Sequence, residues 1–184
     1  MPILEREPQC FPHDLLSAGF VPAGDRRWWV LHTKSRQEKS IARDLLAYSI
    51  PFFLPQVEKT AMVRGRRRRS FMPVFTSYVF LYGDEEERYR TLTTNRVGQI
   101  LAVDDQVQFH DDLAQVWRLI EANTPLTVEG RLAPGDRVRI RSGSLAGVEG
   151  TVTARRKKCR LLVAVRLLQQ GVSIEIDDFL LEPI

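Results

Sequence analysis

The chain has 184 residues, 43% of them hydrophobic and 27% charged, with a formal net charge of +4. That composition excludes a disordered chain, and the length allows one ordinary domain or two small ones. The charge excess is small, but acidic groups such as Asp84–Glu87 and Asp111–Asp112 alternate with basic ones, which concentrates positive charge in patches. Cys10 and Cys159 lie far apart with no Cys-x-x-Cys spacing, so neither a disulfide framework nor a zinc cluster is expected. No apolar run nears the roughly 18 residues of a membrane span, and no signal-peptide core is visible. A cytoplasmic protein with no membrane contact, metal or cofactor is the expectation.

In chain order, residues 1–26 read as a loosely ordered lead-in with one helical turn over 14–18, closed by Gly19. "WWVLHT", residues 28–33, is aromatic and β-branched and predicts a buried strand. Ser35 and Glu38 have the spacing of a capping box and predict a helix start. In that helix Ile41, Leu45 and Tyr48 face a core, while Arg36, Lys39 and Arg43 share another face, and Pro51 ends it. Residues 52–63 are extended with a break at Pro55, and 64–70 read as an arginine-rich hairpin tip around Gly65. The strongest strand signal covers 74–82. Asp84, with Glu87 at the N3 position, caps a short helix whose first turn is acidic. Another strand covers 98–103, and a helix from Asp111 places Leu113, Val116, Trp117 and Ile120 on one side.

The fold class is therefore α+β, with a ferredoxin-like β-α-β-β-α-β plan followed by an extra C-terminal helix. Prolines and glycines in 123–136 mark a boundary. Beyond it five short strands, over 138–141, 148–154, 159–165, 172–176 and 180–181, suggest a small closed all-β barrel. The expected organisation is a lead-in over 1–26, a first domain over 27–123, a linker over 124–133 and a second domain over 134–184.

"GDRVRIRSGSLAGVEGTV", with Gly135–Asp136, Val138, Ile140, Gly143, Gly147 and Gly150, resembles the KOW motif of SH3-like barrels. "WWVLHTKSRQEKSIARDL", "LPQVEKTAMVRGRRRRSFMPVFTSYVFL" and "NRVGQIL" resemble the NGN domain of NusG-like transcription factors. The middle segment looks closest to specialised antitermination paralogues of the RfaH type. The order NGN then KOW covers roughly residues 27–184.

The resemblance implies a non-enzyme that acts as a monomer by binding RNA polymerase. The clamp helices would meet an apolar depression carrying Phe75 and Tyr78, with Trp28 and Val30 as walls. The gate loop would meet Arg90 and Thr91. Thr76 stands where the family usually has proline, which alters the docking edge. Lys34, Arg36, Lys39, Arg43 and Arg96 would touch the displaced non-template DNA strand. Ser40 and Asp44 occupy helix positions that are basic or imidazole in the RfaH type, so its sequence preference does not carry over. Leu145 would face a small-subunit ribosomal protein or the termination factor Rho, or else simply cap the barrel. The alternative function is a KOW-bearing RNA- or ribosome-binding module that does not dock on polymerase.

Several signals stay open between two readings. The run Arg64 and Arg66–Arg69 is either a solvated hairpin tip or a phosphate-contacting element. Arg155–Lys158 forms a second basic turn with the same two readings. Phe75 and Tyr78 would lie on opposite faces of one strand, placing one of them in the core, unless a twisted edge or a bulge lets both border one groove. His32 reads as a packed or interface residue. Asp111 reads as a helix N-cap rather than half of an acid–base pair with His110, and no P-loop, nucleophile elbow or His-Glu-x-x-His pattern is present.

Overall fold

The computed structural model describes residues 7–17, 20, 24–131, 135–155, 159–177 and 180–184. The chain divides into two compact units, 1–106 and 107–184. The first unit runs β1 (Cys10–Phe11), β2 (Arg27–Thr33), α1 (Glu38–Ala47), β3 (Phe52–Phe53), β4 (Gln56–Val63), β5 (Arg66–Pro73), β6 (Tyr78–Gly83), α2 (Glu85–Thr93) and β7 (Val97–Ala102). The second holds α3 (Gln106–Glu121) from its second residue, then β8 (Thr127–Glu129), β9 (Asp136–Ile140), β10 (Glu149–Arg155), β11 (Cys159–Val165), β12 (Gln170–Ile176) and β13 (Leu181–Pro183).

Five strands of the first unit form an antiparallel sheet in the order β1-β3-β6-β2-β7. β2 lies between β6 and β7, and its pleat sends successive side chains to opposite faces. Trp29 and Leu31 join Ile41 and Leu45 of α1, Val79 and Leu81 in one hydrophobic cluster. Full burial of side chains of this size stabilises by about 1.5–3 kcal/mol each, which fixes the β2–β6 register. A separate aromatic group links Trp28 to Tyr82, and Phe80 to both Phe53 and Phe75, with ring centroids 5.2–6.1 Å apart.

The lead-in is more integrated than its composition suggests. β1 adds a strand to the sheet edge by pairing Cys10 and Phe11 with Phe53 and Phe52. The Gln9 side chain accepts the Gln56 N–H at 2.7 Å, and Leu15 and Leu16 are buried. Residues 14–17 form a turn in which Ser17 N–H donates to the Asp14 carbonyl at 2.9 Å. The rest of the expected helical turn, with Gly19, lies outside the described residues.

The expected capping box at Ser35 does not form. α1 begins after Gln37, which makes no side-chain cap, because Glu38 is buried and accepts the Ser77 N–H at 2.7 Å instead. Arg36 has φ of +60°, which takes it off the helical face shared by Lys39 and Arg43. Tyr48 ends α1 and is exposed, leaving Ile41 and Leu45 as the core face. The capping box of α2 does form, with Asp84 and Glu87 each accepting the other's backbone N–H.

The strongest predicted strand is shorter than its composition. β6 starts at Tyr78, and the preceding 74–77 form a turn in which Ser77 has φ of +66°. Val74 and Phe75 are hydrophobic because they are buried, not because they pair. The predicted tip over 64–70 is also mostly strand. Only Arg64 and Gly65 turn, both at positive φ, while the other four arginines lie on β5. Two positive-φ residues make a primed turn, whose twist matches that of the flanking strands.

In the second unit, six strands form an antiparallel sheet ordered β13-β9-β10-β11-β12-β8. β8 lies within the expected linker and pairs with β12, so this part of 124–133 belongs to the sheet. Residues 132–134 lie outside the described set. Gly147 turns at φ of +83°, and a Cβ on Gly135 would meet the Val152 carbonyl oxygen at 2.0 Å, so both positions require glycine. α3 begins at Gln106, five residues before the predicted Asp111 cap, which therefore lies inside the helix. Leu113, Val116 and Trp117 are buried as predicted, but Leu119 takes the buried place assigned to Ile120.

Candidate partner-docking and nucleic-acid surfaces

The residues expected to meet a protein partner divide by burial. Trp28, Val30 and Phe75 are 2%, 0% and 1% exposed, so none offers a side chain to the surface. Trp28 is fixed from two directions. Its backbone N–H donates to Gln106 Oε1 at 2.6 Å, and Gln106 Nε2 donates to its carbonyl at 3.1 Å. Phase along β2 explains the burial, because a strand packed on both faces hides alternate residues equally.

Tyr78, by contrast, is partly exposed and stands beside His32, with ring centroids 5.2 Å apart and the two residues paired in register. His32 is exposed rather than packed into the strand's interior. Next to this pair, the 74–77 turn is held on two sides. Thr33 N–H donates to the Ser77 carbonyl at 2.8 Å, and Ser77 N–H donates to Glu38. The surface here is thus an aromatic pair on a fixed turn, with Phe75 as support beneath. The sequence left His32 open between a packed and an interface residue; its exposure leaves the interface reading.

On α2 the two expected contacts also differ. Arg90 is exposed, with its guanidinium 4.4 Å from the Tyr48 ring centroid. Such a cation–π contact positions a planar donor without neutralising it. Thr91 is fully buried, and its hydroxyl donates to the Glu87 carbonyl at 2.9 Å. Exposed Tyr89 and Leu92 share a face of this helix at i, i+3 spacing.

The cations expected to touch nucleic acid are mostly engaged within the first unit. Lys34 and Arg96 come together: Lys34 N–H donates to the Arg96 carbonyl, and Lys34 Nζ donates to Asn95 Oδ1 at 2.7 Å. Arg96 in turn pairs with Asp44 and donates to Gln37 Oε1 at 2.8 Å. Arg43 pairs with Glu7 and donates to Ser40 Oγ at 3.1 Å. Among the described residues, Arg36 and Lys39 make no ion pair. Exposed ion pairs of this kind contribute only about 0–1 kcal/mol, so a stronger anion can displace them.

In the second unit, Leu145 is half-buried in the turn between Gly143 and Gly147. Arg118 of α3 donates to the adjacent Ala146 carbonyl, and Gln115 Oε1 accepts the Glu149 N–H at 2.6 Å. Asp112 is buried and accepts the Arg166 N–H at 2.9 Å. Burial pushes its carboxyl above the usual range, against the opposing pull of Arg166 and Gln108. Burial likewise lowers the His110 imidazole, opposed by Asp111. Among the described residues, no group of three His, Cys, Asp or Glu is placed to hold a metal. No described helix is long and apolar enough to cross a membrane. The basic turn at 156–158 lies outside the described residues.

No curated protein matches the chain. Among solved structures, a chain of the "MjSpt4:Spt5 complex conformation B" crystal structure is similar, at 14% identity and a TM-score of 0.26. The match covers 85% of this chain and 96% of that one. The family described as "NusG: Transcription termination factor nusG" matches residues 26–125, from the start of β2 through the end of α3, which is more than half of the chain. The chain belongs to the NusG family of transcription factors.

Proposed function

We propose that the chain is a transcription elongation or antitermination factor that docks on RNA polymerase, suppresses pausing or termination, and recruits a further partner through its C-terminal strands. The observation that carries this reading is the family match over 26–125. The order β3-β6-β2-β7 within the first sheet fits a ferredoxin-like NGN domain over 27–123. The short strands and positive-φ glycines 143 and 147 fit a KOW domain over 134–184. Leu145 is its proposed partner contact.

The proposed mechanism is bridging, not chemistry. Docking favours the elongating polymerase only by binding that state more tightly than the paused one. Tyr78 and Arg90 are the exposed contacts, and His32 joins them. Trp28, Val30, Phe75 and Thr91 shape the surface from beneath. Arg36 and Lys39 would meet the non-template strand directly, and Lys34, Arg43 and Arg96 by exchanging internal partners for phosphates.

The test is capture of core RNA polymerase by the full chain, with Tyr78→Ala, His32→Ala and Arg90→Ala combined. These side chains reach the surface, so the fold survives their removal. Buried aromatic and arginine anchors at interfaces are worth about 2 kcal/mol or more each, so binding should fall by about thirtyfold or more. Capture equal to that of the unaltered chain overturns the placement of the docking surface. Failure of the unaltered chain to capture polymerase overturns the function.

A further inference from the structure

The lead-in lies outside the span 26–125 that matches the NusG family, yet it holds the first unit in two different ways. Residues 9–16 are anchored by burial and backbone pairing. Gln9 accepts the Leu54 N–H through its carbonyl at 2.6 Å and the Gln56 N–H through its side chain at 2.7 Å. Cys10 and Phe11 pair with Phe53 and Phe52, and Cys10, Leu15 and Leu16 are buried. Just before this anchor, Glu7 reaches a different element. Its carboxylate accepts from the Arg43 guanidinium on the exposed side of α1, 36 residues further along the chain.

Two features make this contact a clasp that can open rather than part of the anchor. The Arg43 side chain is 58% exposed, so solvent screens the pair. Glu7 Oε2 is buried and has no hydrogen-bond partner among the described residues. A buried carboxylate oxygen without a partner carries a desolvation penalty, which opening relieves. Gain and penalty oppose each other at one carboxylate, which leaves the clasp poised between closed and open. The anchoring contacts of 9–16 involve neither Glu7 nor Arg43 and persist in both states.

Arg43 is also one of the cations proposed to meet the non-template strand, with Lys39 one turn before it on α1. A guanidinium fork that holds a carboxylate is not free to hold a phosphate in the same geometry. Glu7 is a single carboxylate on a tether. A nucleic-acid strand offers phosphates to Arg43, Lys39 and Arg36 together, so it displaces Glu7 on binding and meets a competitor until it does. We propose that Glu7 is an intramolecular competitor for the nucleic-acid face of α1, with the lead-in clasp and single-stranded DNA holding Arg43 in mutual exclusion. The inference rests on the reading of α1 as a contact for the non-template strand and adds its regulation. Linkage makes the effect reciprocal: the closed clasp lowers DNA affinity by the same factor by which bound DNA favours the open clasp.

The experiment uses the full chain and a labelled DNA single strand of mixed sequence at low salt, where screening is weakest. Glu7→Gln should tighten binding by about two- to fivefold, the range of an exposed ion pair. Glu86→Gln removes the same charge from an exposed position of α2 and should change binding less. Arg43→Gln should weaken binding, and in its background Glu7→Gln should have no more effect than Glu86→Gln. The second readout is the Glu7 backbone amide resonance. Saturating DNA should move it toward its position in DNA-free Arg43→Gln.

The proposal is overturned if the strand binds and Glu7→Gln tightens it no more than Glu86→Gln. It is equally overturned if the Glu7 effect survives undiminished without Arg43, or if the Glu7 amide stays in place as DNA saturates the protein. Those outcomes leave the nucleic-acid role of α1 standing. If neither the unaltered chain nor Glu7→Gln binds the strand, that role and the clasp fall together.

Discussion

β5 and β6 follow each other in the chain, and both are strands, yet they differ in what makes them so. β6 pairs on both sides, with β2 and β3, and Val79, Phe80 and Leu81 are wholly buried. β5 pairs only with β4, and its first five residues are all exposed. β6 is held by packing, whereas β5 is held by a primed turn and cross-strand pairs. The difference teaches where each strand's substitutions will register. Changes in β6 should appear as reduced stability, and changes in β5 as altered binding.

The sharpest test of that division sets Phe80→Ala against Arg67→Ala. Phe80 packs on Phe53 and Phe75, and deleting its ring should cost about 3–5 kcal/mol of unfolding free energy. Arg67→Ala should stay within about 0.5 kcal/mol, as other surface substitutions do. Urea unfolding of both variants measures this, and similar midpoints would erase the distinction between the two strands.

A smaller effect is expected at the turn that joins them. Glu38→Ala leaves the Ser77 N–H without its acceptor, which should cost about 1–3 kcal/mol, and Glu38→Gln should recover part of it through the amide oxygen. Smaller again is Asp84→Ala just beyond β6. It removes the α2 cap and should cost about 1 kcal/mol, read as earlier loss of helical circular dichroism on heating.

The sequence made these elements legible to different degrees. The α2 cap was fully readable, because Asp84 and Glu87 act within one turn and need no distant partner. The Ser35–Glu38 pair had the same spacing and failed, because Glu38 has a partner 39 residues away at Ser77. Local signals lose when a tertiary hydrogen bond competes for the same group. Val74 and Phe75 misled in a related way, since apolar side chains buried in a turn look like strand residues. In the candidate site, residue types were legible but accessibility was not. Aromatic residues 28, 75 and 78 attracted the docking role, yet the fold buries the first two, and only Tyr78, beside His32, reaches the surface. Likewise, Arg43 of α1 and Arg96 just before β7 read as cations available to nucleic acid, and only the fold shows them meeting Glu7 and Asp44.

The smallest expected effect separates the hairpin's structure from its binding. Arg64 and Gly65 both occupy the left-handed region, where an arginine costs about 1 kcal/mol and asparagine is better tolerated. Arg64→Asn should therefore stabilise the hairpin by about 0.5–1 kcal/mol, slowing amide exchange in the 58–70 ladder by roughly two- to fivefold. Global unfolding should not change, because Arg64 lies in the wholly exposed 58–70 stretch of a sheet made of β4 and β5 alone. If the arginine run contacts phosphate, duplex DNA affinity should nevertheless fall, with a salt slope lower by about 0.9, since position 64 no longer neutralises a phosphate. A hairpin that is more rigid and binds less tightly is the outcome expected if its arginines act as ligands for phosphate. If binding instead rises with rigidity, the tip contributes through shape, and Arg64 does not touch the DNA backbone.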